Sequence, residues 1–243
     1  MTSQKTALVT GASSGLGAHF GRLLAGQGYH VLLAARRLDK VADLASQIAL
    51  TGGSAEPLKM DVTNAASVDA AFEAMIRPPD VVINNAGVAG DGAAMDMTEE
   101  VFDMVIDTNL KGVFLVSQAA ARSMKARGQG GAIVNIGSIF GETVPFPGID
   151  LYSMTKFAMA GLTRAWARDL AEDGITVNCI QPGPINTDMN PEDGALAEAM
   201  LPRSPIGRYG RPEEIAEMVA YLCGPNTDNV TGSVLNNDGA WNA

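Results

Sequence analysis

A tyrosine precedes a lysine by four positions in the segment Tyr152-Ser153-Met154-Thr155-Lys156. On a helix, side chains at this spacing lie on one face, about one turn apart. A free phenol has a pKa of roughly 10, and a fixed cation nearby favours the phenolate and should lower that value. Such a tyrosine could pass a proton to or from an alcohol or ketone oxygen. The same spacing is common on ordinary helix surfaces, so the chemistry depends on what the rest of the chain brings beside it.

A glycine-rich loop follows the first predicted strand, Ala7-Leu8-Val9, and precedes a helix predicted to reach about Gln27. Strand, glycine loop and helix in this order are typical of dinucleotide binding. Glycines let backbone N–H groups at the helix start approach a pyrophosphate closely, although a tight turn with close helix–strand packing would use them too. The predicted cofactor contacts in this loop are Gly11, Ser13, Ser14, Gly15, Leu16 and Gly17.

The second predicted strand, residues 30–35, ends at a position that distinguishes two nicotinamide cofactors. A carboxylate there would bond the ribose 2′-hydroxyl of NAD, but this chain has Ala35 followed by Arg36 and Arg37. Guanidinium groups match a phosphate through forked, charge-assisted hydrogen bonds. The pattern therefore predicts NADP, unless the arginines are simply solvated at the start of a surface helix.

Later strands also end in polar or small residues. Asp61, followed by Val62, is expected to accept a bond from the adenine amine or to cap the next helix, a role that Asn64 could fill instead. After the fourth strand, amides before a small-residue turn can bond backbone and leave room for a flat ring. The segments concerned are Asp61-Val62, Asn84-Asn85-Ala86-Gly87, Gly137-Ser138 and Pro182-Gly183-Pro184-Ile185-Asn186-Thr187.

An apolar segment, residues 139–151, is predicted to form a pocket wall, and the irregular segment 188–208 is predicted to form a lid over it. A long helix is predicted over residues 98–127 and is interrupted by Asn109 and Gly112. A buried amide needs hydrogen-bond partners, so Asn109 either holds a catalytic water at a kink or makes a structural bond. Side chains predicted to bound an apolar substrate, or else to pack in the core, are Phe140, Phe146, Met189, Leu196, Met200 and Trp241.

Strands alternate with helices along the whole chain. This order predicts an α/β fold: one Rossmann-like domain over residues 1–243, with a doubly wound parallel sheet of about seven strands and helices on both faces. In such a sheet the loops described above all follow carboxyl ends of strands and share one edge, where a cofactor lies. This convergence favours the chemical interpretation of Tyr152 and Lys156.

Composition excludes several classes of function. A net charge of −10 argues against non-specific nucleic-acid binding and against docking on acidic membranes or acidic carrier proteins. Two cysteines, Cys179 and Cys223, lack metal-type spacing and suggest a reduced interior, so no metal site is predicted. No apolar run approaches the roughly 18 residues of a membrane span, and no signal peptide is recognised. A cytoplasmic location is expected.

In combination and in order, the motifs resemble those of the short-chain dehydrogenase/reductase family over essentially the full length. The matching motifs are Thr10-Gly-x-x-x-Gly15-x-Gly17, Asn84-Asn85-Ala86-Gly87, Asn109, Ser138, Tyr152-x-x-x-Lys156 and Pro182-Gly183. The resemblance implies an oxidoreductase that uses a nicotinamide cofactor. It also implies a dimer or tetramer that pairs the long fourth helix and the Tyr152 helix with symmetry mates.

The resemblance assigns roles to the matching residues. Tyr152 would be the general acid/base, and Lys156 would lower its pKa and hold the nicotinamide ribose. Ser138 would bond the substrate oxygen, and Asn109 would hold a water in a proton relay to Lys156. These four residues are the expected catalytic set.

The resemblance also bears on the cofactor. Ile185 and Thr187 would contact the nicotinamide amide. NADP-preferring members often carry a basic residue where Arg36 stands. Some carry another just before the second motif glycine, where this chain has Ser14, so the NADP expectation rests on Arg36 and Arg37.

The expected reaction is hydride transfer between NADP(H) and a small or medium apolar ketone or secondary alcohol. A second candidate is a 3-oxoacyl-[acyl-carrier-protein] reductase, which usually has a basic residue just before Gly-Ile-Thr-Val-Asn. Here that residue is Asp173, although Arg127 remains as a contact for an acidic carrier. A third candidate, from another class, is a non-catalytic nucleotide-binding regulator. The intact Ser-Tyr-Lys-Asn set argues against it, because a pure binding protein does not need these groups.

Overall fold

The computed structural model describes residues 4–90, 92–188 and 190–243. Its strands are β1 (Thr6–Thr10), β2 (His30–Ala35), β3 (Ser54–Lys59), β4 (Val81–Asn84), β5 (Gly131–Ile136), β6 (Ile175–Pro182) and β7 (Val234–Asn237). Its α-helices are α1 (Gly15–Gly26), α2 (Leu38–Leu50), α3 (Ala65–Ala74), α4 (Glu99–Ile106), α5 (Gly112–Arg127), α6 (Asp150–Asp169), α7 (Ala195–Met200) and α8 (Pro212–Cys223). No helix in these ranges is both long enough and apolar enough to cross a membrane.

The strands form one seven-stranded sheet in the order β3-β2-β1-β4-β5-β6-β7. All pairs are parallel; Leu8 of β1, for example, pairs with Leu32 of β2 on one side and Val82 of β4 on the other. The chain runs outward from β1 to β3, then returns to the other side of β1 with β4. This reversal opens a crevice above the carboxyl ends of β1 and β4, where open α/β sheets bind ligands. The predicted Rossmann-like parallel sheet is confirmed.

The core lies on both faces of the sheet because alternate residues of a strand point to opposite sides. On β1, Ala7 and Val9 pack with α1, α2 and α8, including the fully buried Phe20. Leu8 points the other way and packs with α3, α5 and α6 around Met124. A strand buried on both faces reads as a continuous apolar run, which is why β1 was recognisable in the sequence.

Element boundaries differ from the predictions where distant contacts decide them. The helix predicted over 98–127 is two α-helices joined by a π-helical turn, Asp107–Lys111. Strand β6 continues past the predicted end at residue 180, because Gln181 and Pro182 pair with β7. Strand β3 begins earlier than predicted and includes Pro57, whose missing N–H is tolerated because β3 is an edge strand. Helix α6 ends at Asp169, short of the predicted residue 172, and a 3₁₀ turn, Ala171–Asp173, follows.

Candidate active site

The glycine loop is held to the neighbouring strand by two side chains. The Asn85 amide donates to the carbonyls of Thr10, at 3.0 Å, and Gly11, at 3.2 Å. In return, the Thr10 hydroxyl accepts from the backbone N–H groups of Asn85 and Ala86, both at 3.1 Å. A Cβ on Gly17 would contact the Gly11 carbonyl and lie 2.6 Å from the Asn85 amide nitrogen. These contacts leave no room for a side chain at position 17 and fix the mouth of the crevice.

A cleft of about 840 Å³ opens above the carboxyl ends of the strands. Among the predicted cofactor contacts, Gly17 does not line it: this residue packs behind the loop against Gly11. The structure brings all the others together along the cleft: Gly11, Ser13, Ser14, Gly15, Leu16, Arg36, Arg37, Asp61, Val62, Asn85, Ala86, Gly87, Tyr152, Lys156, Pro182, Gly183, Ile185 and Thr187.

The two arginines lie at the end of β2, beside the glycine loop. Both are exposed and line the cleft, and the Arg37 Nη2 donates to the Ser13 hydroxyl at 3.2 Å. Helix α1 begins at Gly15 next to them, and its first N–H groups favour an anion. This end of the cleft therefore combines two guanidinium groups with a helix N-terminus.

Asp61 follows β3, which ends at Lys59. It accepts hydrogen bonds from the Thr63 N–H, at 3.1 Å, and the Thr63 hydroxyl, at 2.8 Å, both through Oδ1. Asp61 does not cap α3: Asn64 is the N-cap residue, and its Oδ1 accepts from the Ser67 N–H at 3.1 Å. The Oδ2 atom of Asp61 makes neither Thr63 bond and is the oxygen left to meet a ligand donor.

Tyr152 and Lys156 lie one turn apart on α6, as their spacing predicts. The Lys156 side chain is buried; its ammonium donates to the Ile136 carbonyl at 2.8 Å and lies 5.3 Å from the centroid of the Tyr152 ring. The Phe140 ring packs against the Tyr152 ring in a T-shaped arrangement, with centroids 6.2 Å apart. The phenol therefore has a buried cation and an apolar ring as neighbours.

Asn109 lies in the π-helical turn and is completely buried. Its Oδ1 accepts from the Val88 N–H, while its Nδ2 donates to the Val88 carbonyl, both at 2.9 Å, and to the Thr155 hydroxyl at 3.2 Å. The Thr155 hydroxyl donates in turn to the Tyr152 carbonyl at 2.7 Å. The side chain therefore makes the structural bonds that a buried amide needs, and the catalytic water at the kink stays a prediction. A π-turn inside a helix is often found at a functional site.

Thr155 was not predicted from the sequence as a site residue. It is completely buried, and it links the π-turn to the backbone of the helix that carries Tyr152 and Lys156. Its position three residues after Tyr152 was the available signal, since residues at i and i+3 are neighbours on a helix. Its partner, however, is 46 residues away in the chain.

Ser138 is buried at the carboxyl end of β5 and lines the cleft; its hydroxyl accepts from the Phe140 N–H at 3.2 Å. The turn around it packs tightly against α6 and β6. A Cβ on Gly141 would lie 2.7 Å from the Gln181 amide nitrogen and 2.8 Å from the Lys156 carbonyl. The backbone that carries Ser138 therefore lies directly against the helix that carries Tyr152.

An apolar cluster closes the far end of the cleft. Ile139, Ala197, Met200 and Tyr209 are its buried members, and Phe140, Phe146 and Trp241 pack on it. Of the predicted substrate contacts, Ser138, Phe140, Phe146, Leu196 and Met200 line the cleft. Trp241 does not line it, and Met189 lies outside the described residues.

Tyr209 and Asn190 were also not predicted as site residues. Asn190 lines the cleft. Tyr209 belongs to the apolar cluster, and its hydroxyl donates to the Asn190 Oδ1 over 3.5 Å.

The two cysteines are buried and free, and burial raises the pKa of Cys179 to about 11 and that of Cys223 to about 12. Protonated thiols in the core are not nucleophiles. The described residues hold no cluster of metal-ligating side chains.

Comparisons with known proteins agree with this geometry. A family model described as enoyl-(acyl carrier protein) reductase matches residues 11–242. A short-chain dehydrogenase/reductase from Serratia marcescens has a solved structure that is 40% identical, with a TM-score of 0.93 and 98% of each chain covered. The chain belongs to the short-chain dehydrogenase/reductase family.

Two other relatives of this short-chain dehydrogenase/reductase indicate the type of reaction and the cofactor class. A 3-oxoacyl-[acyl-carrier-protein] reductase of Staphylococcus aureus is 38% identical over 244 residues, which cover 98% of each chain. A blue fluorescent protein from a metagenomic library, solved in complex with NADPH, is 37% identical, with a TM-score of 0.92 and 98% of each chain covered. The chain is an oxidoreductase of a family that binds a nicotinamide cofactor and acts on CH–OH and carbonyl groups.

The cleft fits such a cofactor. Its volume of about 840 Å³ lies within the usual range for ligand and cofactor pockets. Gly11 and Gly15 have φ values of +65° and +53°, in the left-handed region that favours glycine, and they shape the loop at the start of α1. No side chain at positions 11, 15 or 87 stands between the backbone and a bound pyrophosphate or ring.

Proposed function

We propose that this protein transfers hydride between NADP(H) and a small or medium apolar ketone or secondary alcohol, with Tyr152 as general acid/base. One observation carries the proposal. One cleft is lined by the glycine loop, by Tyr152, Ser138 and Lys156, and by members of the apolar cluster. A reduced nicotinamide and a carbonyl group could meet there, next to a proton donor.

Two features support NADP over NAD. Arg36 and Arg37 stand past Ala35, where NAD enzymes of this fold carry a carboxylate. Both arginines line the cleft, and the hydrogen bond from Arg37 to Ser13 holds one of them beside the glycine loop. The relative solved with NADPH agrees with this preference.

When bound, the nicotinamide supplies or accepts the hydride. The protein's own residues transfer the proton and stabilise the charge that develops. As the carbonyl oxygen gains negative charge, Tyr152 donates its phenolic proton to that oxygen. The Ser138 hydroxyl donates to the same oxygen and stabilises the charge. The Lys156 ammonium, 5.3 Å from the ring centroid, stabilises the phenolate that remains. Asn109 holds Val88 and Thr155 in place, and we assign to its π-turn the water that returns the proton through Lys156.

A second candidate, 3-oxoacyl-[acyl-carrier-protein] reductase, is favoured by the Staphylococcus aureus relative. The surface residues expected to contact an acidic carrier give this second candidate little support. Asp173 is paired with Lys125 at 2.9 Å. Arg127, the remaining contact for an acidic carrier, is only 19% exposed; it pairs with Asp80 at 3.2 Å and donates to the Gly130 carbonyl at 3.0 Å. A guanidinium that is already engaged, on a protein of net charge −10, attracts an acidic carrier weakly.

The deciding experiment measures kcat/KM for a panel of free ketones and for a carrier-bound 3-oxoacyl chain, each with NADPH and with NADH. The proposal predicts turnover of free ketones with NADPH preferred. A strong preference for the carrier-bound substrate would establish the second candidate instead. Tight NADPH binding without oxidation by any carbonyl would favour the non-catalytic regulator.

We also propose that the protein is a dimer or tetramer. Phe114 of α5 and Met154 and Phe157 of α6 are exposed by 41%, 42% and 46%. Apolar side chains on neighbouring helices form the kind of face that a second copy buries. Sedimentation analysis of the protein and of a Phe157→Lys variant tests this, because the variant should shift to smaller species.

The two buried free thiols support a reducing compartment, for which we propose the cytoplasm.

A further inference from the structure

The two ends of the cleft carry different charge, and the inference drawn from this rests on the proposed function. Arg36 and Arg37 follow β2, whereas Ser138 follows β5, and β1 and β4 lie between those strands. Three interstrand spacings of about 4.8 Å put the arginines roughly 14 Å from the reacting group. At physiological salt the Debye length is about 8 Å, so this charge is largely screened at the substrate end.

The substrate end has an apolar wall, and none of its defining side chains is a cation. It is defined here by Ser138, Phe140, Phe146, Leu196, Met200, Asp188 and Asn190. Its carbon surface comes from rings and aliphatic chains. Lys156 lines the same cleft, but it is buried, donates to the Ile136 carbonyl and lies 5.3 Å from the centroid of the Tyr152 ring. Among the described residues of this end, the one charged side chain is the carboxylate of Asp188.

The segment that covers this end adds negative charge. Between positions 188 and 203 it carries four acids, Asp188, Glu192, Asp193 and Glu198, against one base, Arg203. The next base, Arg208, is bound to Glu214 through contacts of 2.7 and 3.0 Å. An anionic substrate would therefore approach through an acidic rim and meet no cation among the residues that define the substrate end.

We propose that the substrate end selects carbonyl compounds that are neutral around the reacting group and rejects those that carry a carboxylate there. An ionised carboxylate that leaves water needs a paired cation or several donors. The apolar cluster of Phe140, Phe146 and Met200 offers neither. An ester or simple ketone of the same shape loses far less hydration, so selection acts on charge rather than on size.

The test uses substrate pairs related by esterification, which removes the charge and adds an ethyl or a methyl group: ethyl acetoacetate with acetoacetate, and methyl levulinate with levulinate. The readout is kcat/KM with NADPH, or the inhibition constant against the best ketone of the panel where a compound is not turned over. We expect each ester to be favoured by at least about 100-fold, the scale set by leaving a buried polar group unpaired.

Two variants of the covering segment provide a matched comparison. Leu196 and Leu201 are exposed by 48% and 39%, but only Leu196 lines the cleft. Leu196→Arg places a cation at the substrate end and should improve the carboxylate relative to its ester roughly fivefold to tenfold. Leu201→Arg adds the same charge outside the pocket and should leave the ratio within about twofold.

The outcomes separate the inference from the function on which it rests. Equal values for ester and carboxylate, or equal gains from both arginine variants, would overturn selection by the pocket lining. Turnover of ketones with a large ester preference that Leu196→Arg reduces would support it. A complete lack of turnover with either cofactor would instead remove the proposed function, and the inference with it.

Discussion

Replacement of one glycine of the cofactor loop provides a quantitative test of how the site is built. A Cβ on Gly17 would contact the Gly11 carbonyl and lie 2.6 Å from the Asn85 amide nitrogen. That amide donates to the Thr10 and Gly11 carbonyls, at 3.0 and 3.2 Å, and must move to admit a methyl group. Loss of two hydrogen bonds at about 1 kcal/mol each and overpacking of about 1.5 kcal/mol, less about 0.5 kcal/mol gained in helix propensity, predict a destabilisation of about 3 kcal/mol for Gly17→Ala.

Gly26 provides the matched control on the same helix. A Cβ there would meet no atom within 4 Å, so Gly26→Ala should stabilise the protein by about 0.5 kcal/mol through helix propensity. For a chain of this size, 1 kcal/mol corresponds to roughly 3 °C in Tm. Gly17→Ala should therefore lower Tm by about 9 °C, while Gly26→Ala should raise it by about 1–2 °C.

The assay is thermal unfolding of both variants, followed by titration with NADPH. Because the clash moves the loop that we expect to face the pyrophosphate, Gly17→Ala should also weaken NADPH binding about tenfold or more, whereas Gly26→Ala should not change it. A Gly17→Ala protein within 1 °C of the wild type and with normal NADPH affinity would refute the proposed packing of the loop.

Three further predictions concern the cofactor preference, the helix that carries Tyr152 and Lys156, and the stability of the protein at acidic pH. Arg36→Ala and Arg37→Ala should each raise KM for NADPH about tenfold with little change for NADH; equal effects on both cofactors would contradict phosphate recognition. Thr155→Val should lower kcat about tenfold with unchanged NADPH affinity, whereas Thr155→Ser, which keeps the hydroxyl, should restore it. Arginine partners lower the pKa of Glu214 to about 2 from 4.5, so its contribution is complete above pH 4.5 and is lost as pH falls toward 2. In urea unfolding, Glu214→Gln should cost about 1 kcal/mol at pH 7 after solvent screening, and this difference should disappear near pH 2.

The sequence was most informative where local chemistry decides the structure. The glycine loop from Gly11 to Gly17 and the pair Tyr152 and Lys156 could be located because turn and helix geometry act over a few residues. The fold followed from the alternation of buried strands with amphipathic helices. The carboxyl-edge rule then placed all the loops on one side of the sheet, as the cleft shows.

The sequence was uninformative where the decisive contact is distant in the chain. Strand β6 extends to Pro182 because Pro182 pairs with Asn237, which no local signal reveals. In the sequence, Arg127 was a candidate contact for an acidic carrier. In the structure it forms an ion pair with Asp80, which directly precedes β4. Thr155 became a site residue only when folding brought the π-turn against α6.

Whether the Tyr152 phenol supplies the proton can be measured by comparing Tyr152→Phe with Tyr221→Phe. Tyr221 is 58% exposed on α8 and does not line the cleft, so its hydroxyl can be removed without affecting the site. With the best ketone of the panel, Tyr152→Phe should lower kcat by about 100- to 10,000-fold while NADPH affinity persists, and Tyr221→Phe should leave kcat unchanged. Near-normal turnover by Tyr152→Phe would show that another group supplies the proton.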